Sequence, residues 1–132
     1  MRKIETQMNT AIRNRSSFSS SNTTVSINSD NTAEVRLHGN HIATITNDSV
    51  ILFDGGWQSN TTKSRLNAIL QEFAYGVGVF QKQWEWFVCN QNKTVDFTNG
   101  MQIALWLKHY LRQDHALNFS QFTCDFYCWQ SS

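Results

Sequence analysis

The strongest chemical signal in the chain is the polar run Thr61, Thr62, Lys63, Ser64 and Arg65. It leads into Leu66, Ile69, Leu70 and Phe73, whose i, i+3, i+4, i+7 spacing marks one buried face of a helix. Asn60, Thr61 or Thr62 is placed to cap that helix. Lys63, Ser64 and Arg65 then fall in its first turn, where unpaired backbone N–H groups favour an anion. Basic side chains at that end oppose the helix dipole, at a cost of roughly a few tenths of a kcal/mol each. The run suits a phosphate or a carboxylate; the competing reading is an ordinary capped helix with solvated charges. It is not a Walker A loop, because Thr62 stands where a glycine should precede the lysine.

Three further constellations bear on function. Arg2, Lys3, Arg13 and Arg15 lie on one basic N-terminal segment, suited to a nucleic-acid backbone or to a solvated helix face. Trp84 and Trp86 are spaced to share one face of a strand with Lys82, and Phe80 extends the row. That row reads as a base-stacking platform or as a buried aromatic ladder. Trp57, just ahead of the central helix, is a further candidate aromatic contact. His38, His41, Cys124 and Cys128 have spacings that four zinc ligands can take, but the cysteines sit among aromatics, which suits buried thiols. No metal and no cofactor are expected.

Catalysis is not expected either. The candidate acids, bases and nucleophiles are scattered: Asp54, Glu85, Cys89, Asp96, His109, Asp114 and His115. No pair is spaced to set a base on a nucleophile. A Gly-x-Ser-x-Gly elbow and a His-Glu-x-x-His run are absent from the sequence.

These residues need elements to hold them. Ile4, Met8, Ala11 and Ile12 predict an amphipathic helix within 1–15. Residues 16–22 read as a linker. Residues 23–53 read as a four-strand antiparallel meander with Val25, Ile27, Val35, Leu37, Ala43, Ile45, Val50 and Leu52 on the core face. Turn lengths pair Ile27 with Val35, Leu37 with Ala43 and Ile45 with Val50. A two-residue turn in the middle hairpin is disfavoured, because a one-residue slip inverts a strand. The central helix spans 60–75 and lies on the sheet. Residues 79–97 form a strand segment, 101–112 a C-terminal helix, and 113–132 an aromatic tail that packs back or meets a second copy. The fold class is α+β in one domain.

Composition narrows the partners. The chain has 132 residues, 40% hydrophobic and 16% charged, with a net charge of +1. That balance argues against a polyanion binder that works through its whole surface, and leaves room for a local basic face. No run of apolar residues is long enough to span a membrane, and no signal peptide is expected. Three cysteines, an odd number, fit a reducing cytoplasm better than a disulfide framework.

Leu37-His-Gly-Asn-His-Ile-Ala43, Thr61-Thr-Lys-Ser-Arg-Leu-Asn-Ala68, Gly78-Val-Phe-Gln-Lys82 and Asp96-Phe-Thr-Asn-Gly-Met101 resemble short signatures in small proteins of tailed phages, marine and cyanobacterial ones included. The resemblance covers roughly residues 22 to 103, and the Thr-Thr-Lys-Ser-Arg-Leu-Asn run is its most specific part. It implies a phage protein at work in a bacterial cytoplasm and assigns no catalytic residue. The expected function is non-enzymatic: a phage accessory protein that acts by binding. One partner is nucleic acid, through Arg2, Lys3, Arg13, Arg15, Lys63 and Arg65. The alternative is a host or phage protein met by the aromatic surface. Homo-oligomerisation through the C-terminal tail is compatible with either.

Overall fold

The structure is a computed structural model that describes residues 1–90 and 93–105. The chain opens with α1 (Lys3–Asn14) and continues through β1 (Phe18–Ser20), β2 (Thr23–Ile27), β3 (Ala33–Leu37), β4 (Asn40–Ile45) and β5 (Ser49–Leu52). Then come α2 (Asn60–Phe73), β6 (Val77–Lys82), β7 (Glu85–Asn90), β8 (Lys93–Asp96) and β9 (Met101–Ala104). All strand pairings are antiparallel, giving a six-stranded sheet β1-β2-β3-β4-β5-β9 and a three-stranded sheet β6-β7-β8. The fold is α+β, as the alternating and helical patterns predict.

The core follows from those periodicities. Val25, Val35, Leu37, Ala43, Ile45, Val50 and Leu52 are buried from the sheet side, with Met8 and Ile12 of α1 and Leu66, Ile69 and Leu70 of α2. The two helices run parallel. Glu5 meets Arg65, Asn9 donates to the Ala68 carbonyl, and Arg13 meets Glu72, so contacts advance in the same direction along both. Helix α2 also packs on β6. There the Asn67 carboxamide both accepts from the Val79 N–H (2.7 Å) and donates to the Val79 carbonyl (2.9 Å), acting as a surrogate strand on the β6 edge.

Several expectations need correction. Phe18–Ser20 is strand β1 rather than linker; it pairs with β2 through a tight turn in which Ser21 has φ 52°. Ile27 pairs with Ala33, not Val35. The connection is two residues tighter: Asn28 N–H donates to the Thr32 carbonyl, and the Asp30 carboxylate accepts from Thr32. The shift is by two residues, so the same side chains stay inside.

In the next hairpin Leu37 pairs with Asn40 around a tight His38-Gly39 turn, both residues at positive φ (53° and 80°). The register then shifts by one between Val35 and Arg36, so Ile42 is the extra residue of a β-bulge and Ala43 returns to the core face opposite Val35. The bulge resolves the slip that had argued against a short turn. Ile45 does pair with Val50.

Met101–Ala104 is a strand on the open side of β5, not the start of a helix. Ile103 and Leu105 are buried and alternate with exposed Gln102 and Ala104, a strand period. The rest of the predicted 101–112 helix and the aromatic tail lie outside the described residues.

Candidate functional site

The start of α2 is one residue earlier than any of the predicted caps. Ser59 is the N-cap, its Oγ accepting from the Thr62 N–H at 3.1 Å. The run from Thr61 to Arg65 therefore wraps around the helix, and its side chains go to different places. Thr62 is buried and its hydroxyl meets Ser59 Oγ at 3.0 Å. Ser64 and Arg65 turn inward, towards α1. Thr61 and Lys63 remain partly exposed.

Arg65 is 3% exposed and spends its guanidinium internally: Nη1 donates to Glu5 Oε2 at 2.8 Å, Nε to the Thr23 hydroxyl at 3.0 Å, and Nη2 to Asn22 Oδ1 at 3.3 Å. The Ser64 hydroxyl donates to the same Glu5 oxygen at 2.6 Å, and the Arg2 N–H to its other oxygen at 3.1 Å. Burial opposes ionisation of Glu5, but the bonds from Ser64, Arg2 and Arg65, with the Arg65 charge, more than offset it and hold its carboxyl below the usual value. The anion expected near this helix end is thus the protein's own carboxylate.

The N-terminal basic residues also divide. Arg13 forms an exposed ion pair with Glu72. Arg15 donates to the carbonyls of Ile12, Asn31 and Thr46, tying the end of α1 to two turns. Arg2 and Lys3 are exposed.

Trp84 and Trp86 do not share a face. Gln83 and Trp84 form the tight turn between β6 and β7, with φ 52° and 70°. Trp86 points inward at 4% exposure, its ring edge-on to Phe97 at 5.3 Å. Trp84 is thrown outward at 90% exposure. Lys82, also exposed, stands opposite Glu85 across the hairpin. A shallow concavity of about 490 Å³ joins this hairpin tip to α2, lined by Asn60, Lys63, Gln81, Gln83 and Trp84. No carboxylate lines it. Gln81 and Gln83 carry no signal in a sequence rich in polar amides, and Asn60 only that of a helix cap; the turn brings them to Trp84.

Trp57, 75% exposed, flanks the other side of the helix start. It borders a second cleft, about 310 Å³, with Leu37, His38, Asp54 and Thr61 among its walls. Asp54 is engaged there: Oδ1 accepts from the Gly56 N–H at 2.8 Å and Oδ2 from the Gln58 amide at 3.3 Å.

His38 sits in its turn, whereas His41 Nε2 lies 2.7 Å from the Thr44 hydroxyl with its ring 4.4 Å from that of Phe53. Among the described residues no cluster of three or more His, Cys, Asp or Glu is placed to hold a metal. Cys89 is fully buried in β7. Cys124, Cys128, His109, Asp114 and His115 lie outside the described residues. Among the described helices none is long and apolar enough to cross a membrane.

The family model described as Kyanoviridae Gp96 protein matches residues 1–104, from α1 to the end of β9. No curated protein and no solved structure matches the chain.

Proposed function

The chain belongs to the Kyanoviridae Gp96 protein family, a group of cyanophage proteins, and from that premise we propose that it is a non-enzymatic accessory protein that binds single-stranded nucleic acid at the hairpin tip beside α2. One observation carries this reading: the concavity holding Trp84 is lined by an exposed indole, a lysine and three carboxamides, with no acidic side chain. An indole stacks on a base, a lysine meets a phosphate, and carboxamides bond base edges; these are the parts of a single-strand site. The tip is also strained. Neither Gln83 nor Trp84 is a residue that adopts positive φ without cost, and for a bulky side chain such a conformation is a genuine outlier. Strain of this kind is characteristic of binding and switch regions.

The interface is smaller than the sequence implied. Arg13, Arg15, Ser64 and Arg65 are engaged within the protein, and Trp86 is core. Trp84, Lys63, Asn60, Gln81 and Gln83 remain, with Lys82 beside them and Arg2 and Lys3 exposed on α1. Binding is correspondingly weak and depends on stacking more than on charge.

The test is a fluorescence-anisotropy titration of a labelled oligo-dT against the full chain at several salt concentrations. Trp84→Ala is expected to weaken binding by roughly ten- to a hundredfold, from about 1–3 kcal/mol per stacked base. Lys63→Ala should flatten the dependence of log K on log salt by about 0.7, one single-strand phosphate contact. Binding that survives Trp84→Ala unchanged contradicts the reading.

A second reading rests on Trp57. Its cleft includes Asp54, which repels phosphate, so that face suits a protein partner anchored on an exposed indole. A partner captured by the wild type after nuclease treatment, and lost with Trp57→Ala, favours it.

A further inference from the structure

The two edges of the small sheet are treated differently, and the difference points to a partner. On the β6 edge, Asn67 covers both polar groups of Val79. On the β8 edge, among the described residues, no strand follows, and all four residues of β8 are exposed.

The hydrogen-bond pattern fixes which β8 groups face outward. Val79 turns its N–H and carbonyl away from β7, so the opposite residue Val88 turns its own toward β8, because antiparallel ladders alternate. The Phe97 N–H bond to the Trp86 carbonyl, 3.1 Å, has the same phase. Val95 therefore bonds inward, and the N–H and carbonyl groups of Thr94 and Asp96 point away from the sheet. On the side-chain level, Val79, Val88 and Val95 are directly opposed in register and share one face. The first two are buried, and Val95 carries that apolar row out to 38% exposure.

We propose that β8 pairs antiparallel with β8 of a second copy of this chain, across a two-fold axis at Val95. Only registers that set outward-facing residues opposite one another are allowed, which leaves axes at Thr94, Val95 or Asp96 within the strand. An axis at Asp96 sets two carboxylates against each other. An axis at Thr94 puts Val95 against Lys93. The axis at Val95 makes every pair compatible. Val95 meets Val95 of the second copy. Thr94 lies opposite Asp96, hydroxyl to carboxylate, and exchanges both backbone bonds with it. Lys93 lies opposite the half-buried Phe97, cation to ring. No like charges are opposed, and the two charged residues that ordinarily blunt an edge strand each gain a complementary neighbour. Four residues a side make a small interface, so the dimer is weak and its population rises with protein concentration.

The experiment uses the full chain. Sedimentation velocity across a concentration series is expected to show a reversible dimer for the wild type and a monomer for Val95→Lys, which sets two lysines together on the axis. Val95→Cys is expected to form an intermolecular disulfide, located by peptide mass spectrometry, about tenfold or more faster than Asp96→Cys, since only the former brings identical positions within disulfide reach. A wild type that stays monomeric throughout, a dimer that Val95→Lys leaves intact, or equal cross-linking of the two cysteine variants overturns the proposal.

Discussion

Removing the Glu5 carboxylate should destabilise this protein more than removing any exposed acidic side chain. Glu5 is 2% exposed and Arg65 3%, so Glu5→Ala leaves a guanidinium in the core with no counter-charge, and the Ser64 hydroxyl and Arg2 N–H without their acceptor. Breaking one side of a buried pair costs about 3–5 kcal/mol. That is a large part of the 5–15 kcal/mol or so that holds a typical domain folded. The exposed Arg13–Glu72 pair is the internal control, where Glu72→Ala should cost about 0–1 kcal/mol. Urea unfolding at neutral pH, followed by tryptophan fluorescence and far-ultraviolet circular dichroism, measures both. The double variant Glu5→Leu/Arg65→Met should recover most of the loss, since it removes the stranded charge with its partner. A Glu5→Ala loss of less than about 1 kcal/mol, level with Glu72→Ala, refutes the reasoning.

The same carboxylate sets a pH dependence. Its folded pKa lies below its unfolded value, so its stabilising contribution is complete above the unfolded carboxylate range and disappears as pH falls through the folded value. Glu34, held low chiefly by its bond from Asn28, and Asp30, held low by Thr32, act with the same sign. Acid titration of stability should therefore be shallower in Glu5→Gln, but not flat; an unchanged slope contradicts this assignment.

Two further outcomes follow from the small sheet. Asn67→Ala should cost about 1–3 kcal/mol by stranding the polar groups of Val79, and hydrogen exchange at the Val79 amide should accelerate; undisturbed protection there means the carboxamide is not holding that edge. Replacing Gln83-Trp84 with Asn-Gly should raise stability by roughly 1–3 kcal/mol per strained position, while oligo-dT binding is lost. A destabilised variant would show that the tip is not strained.

The sequence was informative where a pattern repeats and uninformative where one residue changes a direction. Alternating apolar residues marked β2 to β5, and the 3.6-residue spacing marked both helices, because burial imposes those periods on any sequence that adopts them. Registers were harder to read. A two-residue shift at Ile27 keeps the same face inward, and the bulge at Ile42 undoes a slip that periodicity alone forbids. Strand β1 is too short and serine-rich to register as one. At the candidate site, Trp84 and Trp86 obey strand spacing on paper, but the turn at Gln83-Trp84 separates them. Arg65 reads as a surface cation in the sequence because its partner Glu5 lies 60 positions away in the chain. The acidic residue that occupies this helix end comes from α1, and nothing local to Thr61–Arg65 announces it.

The strained hairpin tip is the proposed binding surface. Amide and indole resonances of the full, isotope-labelled chain, recorded during titration with an oligo-dT, test this most directly. The expected outcome is that the Trp84 indole N–H and the amides of Lys63, Gln81 and Gln83 shift together and saturate, while the buried Trp86 indole stays in place. Perturbations confined to other surfaces, or none at all, contradict it.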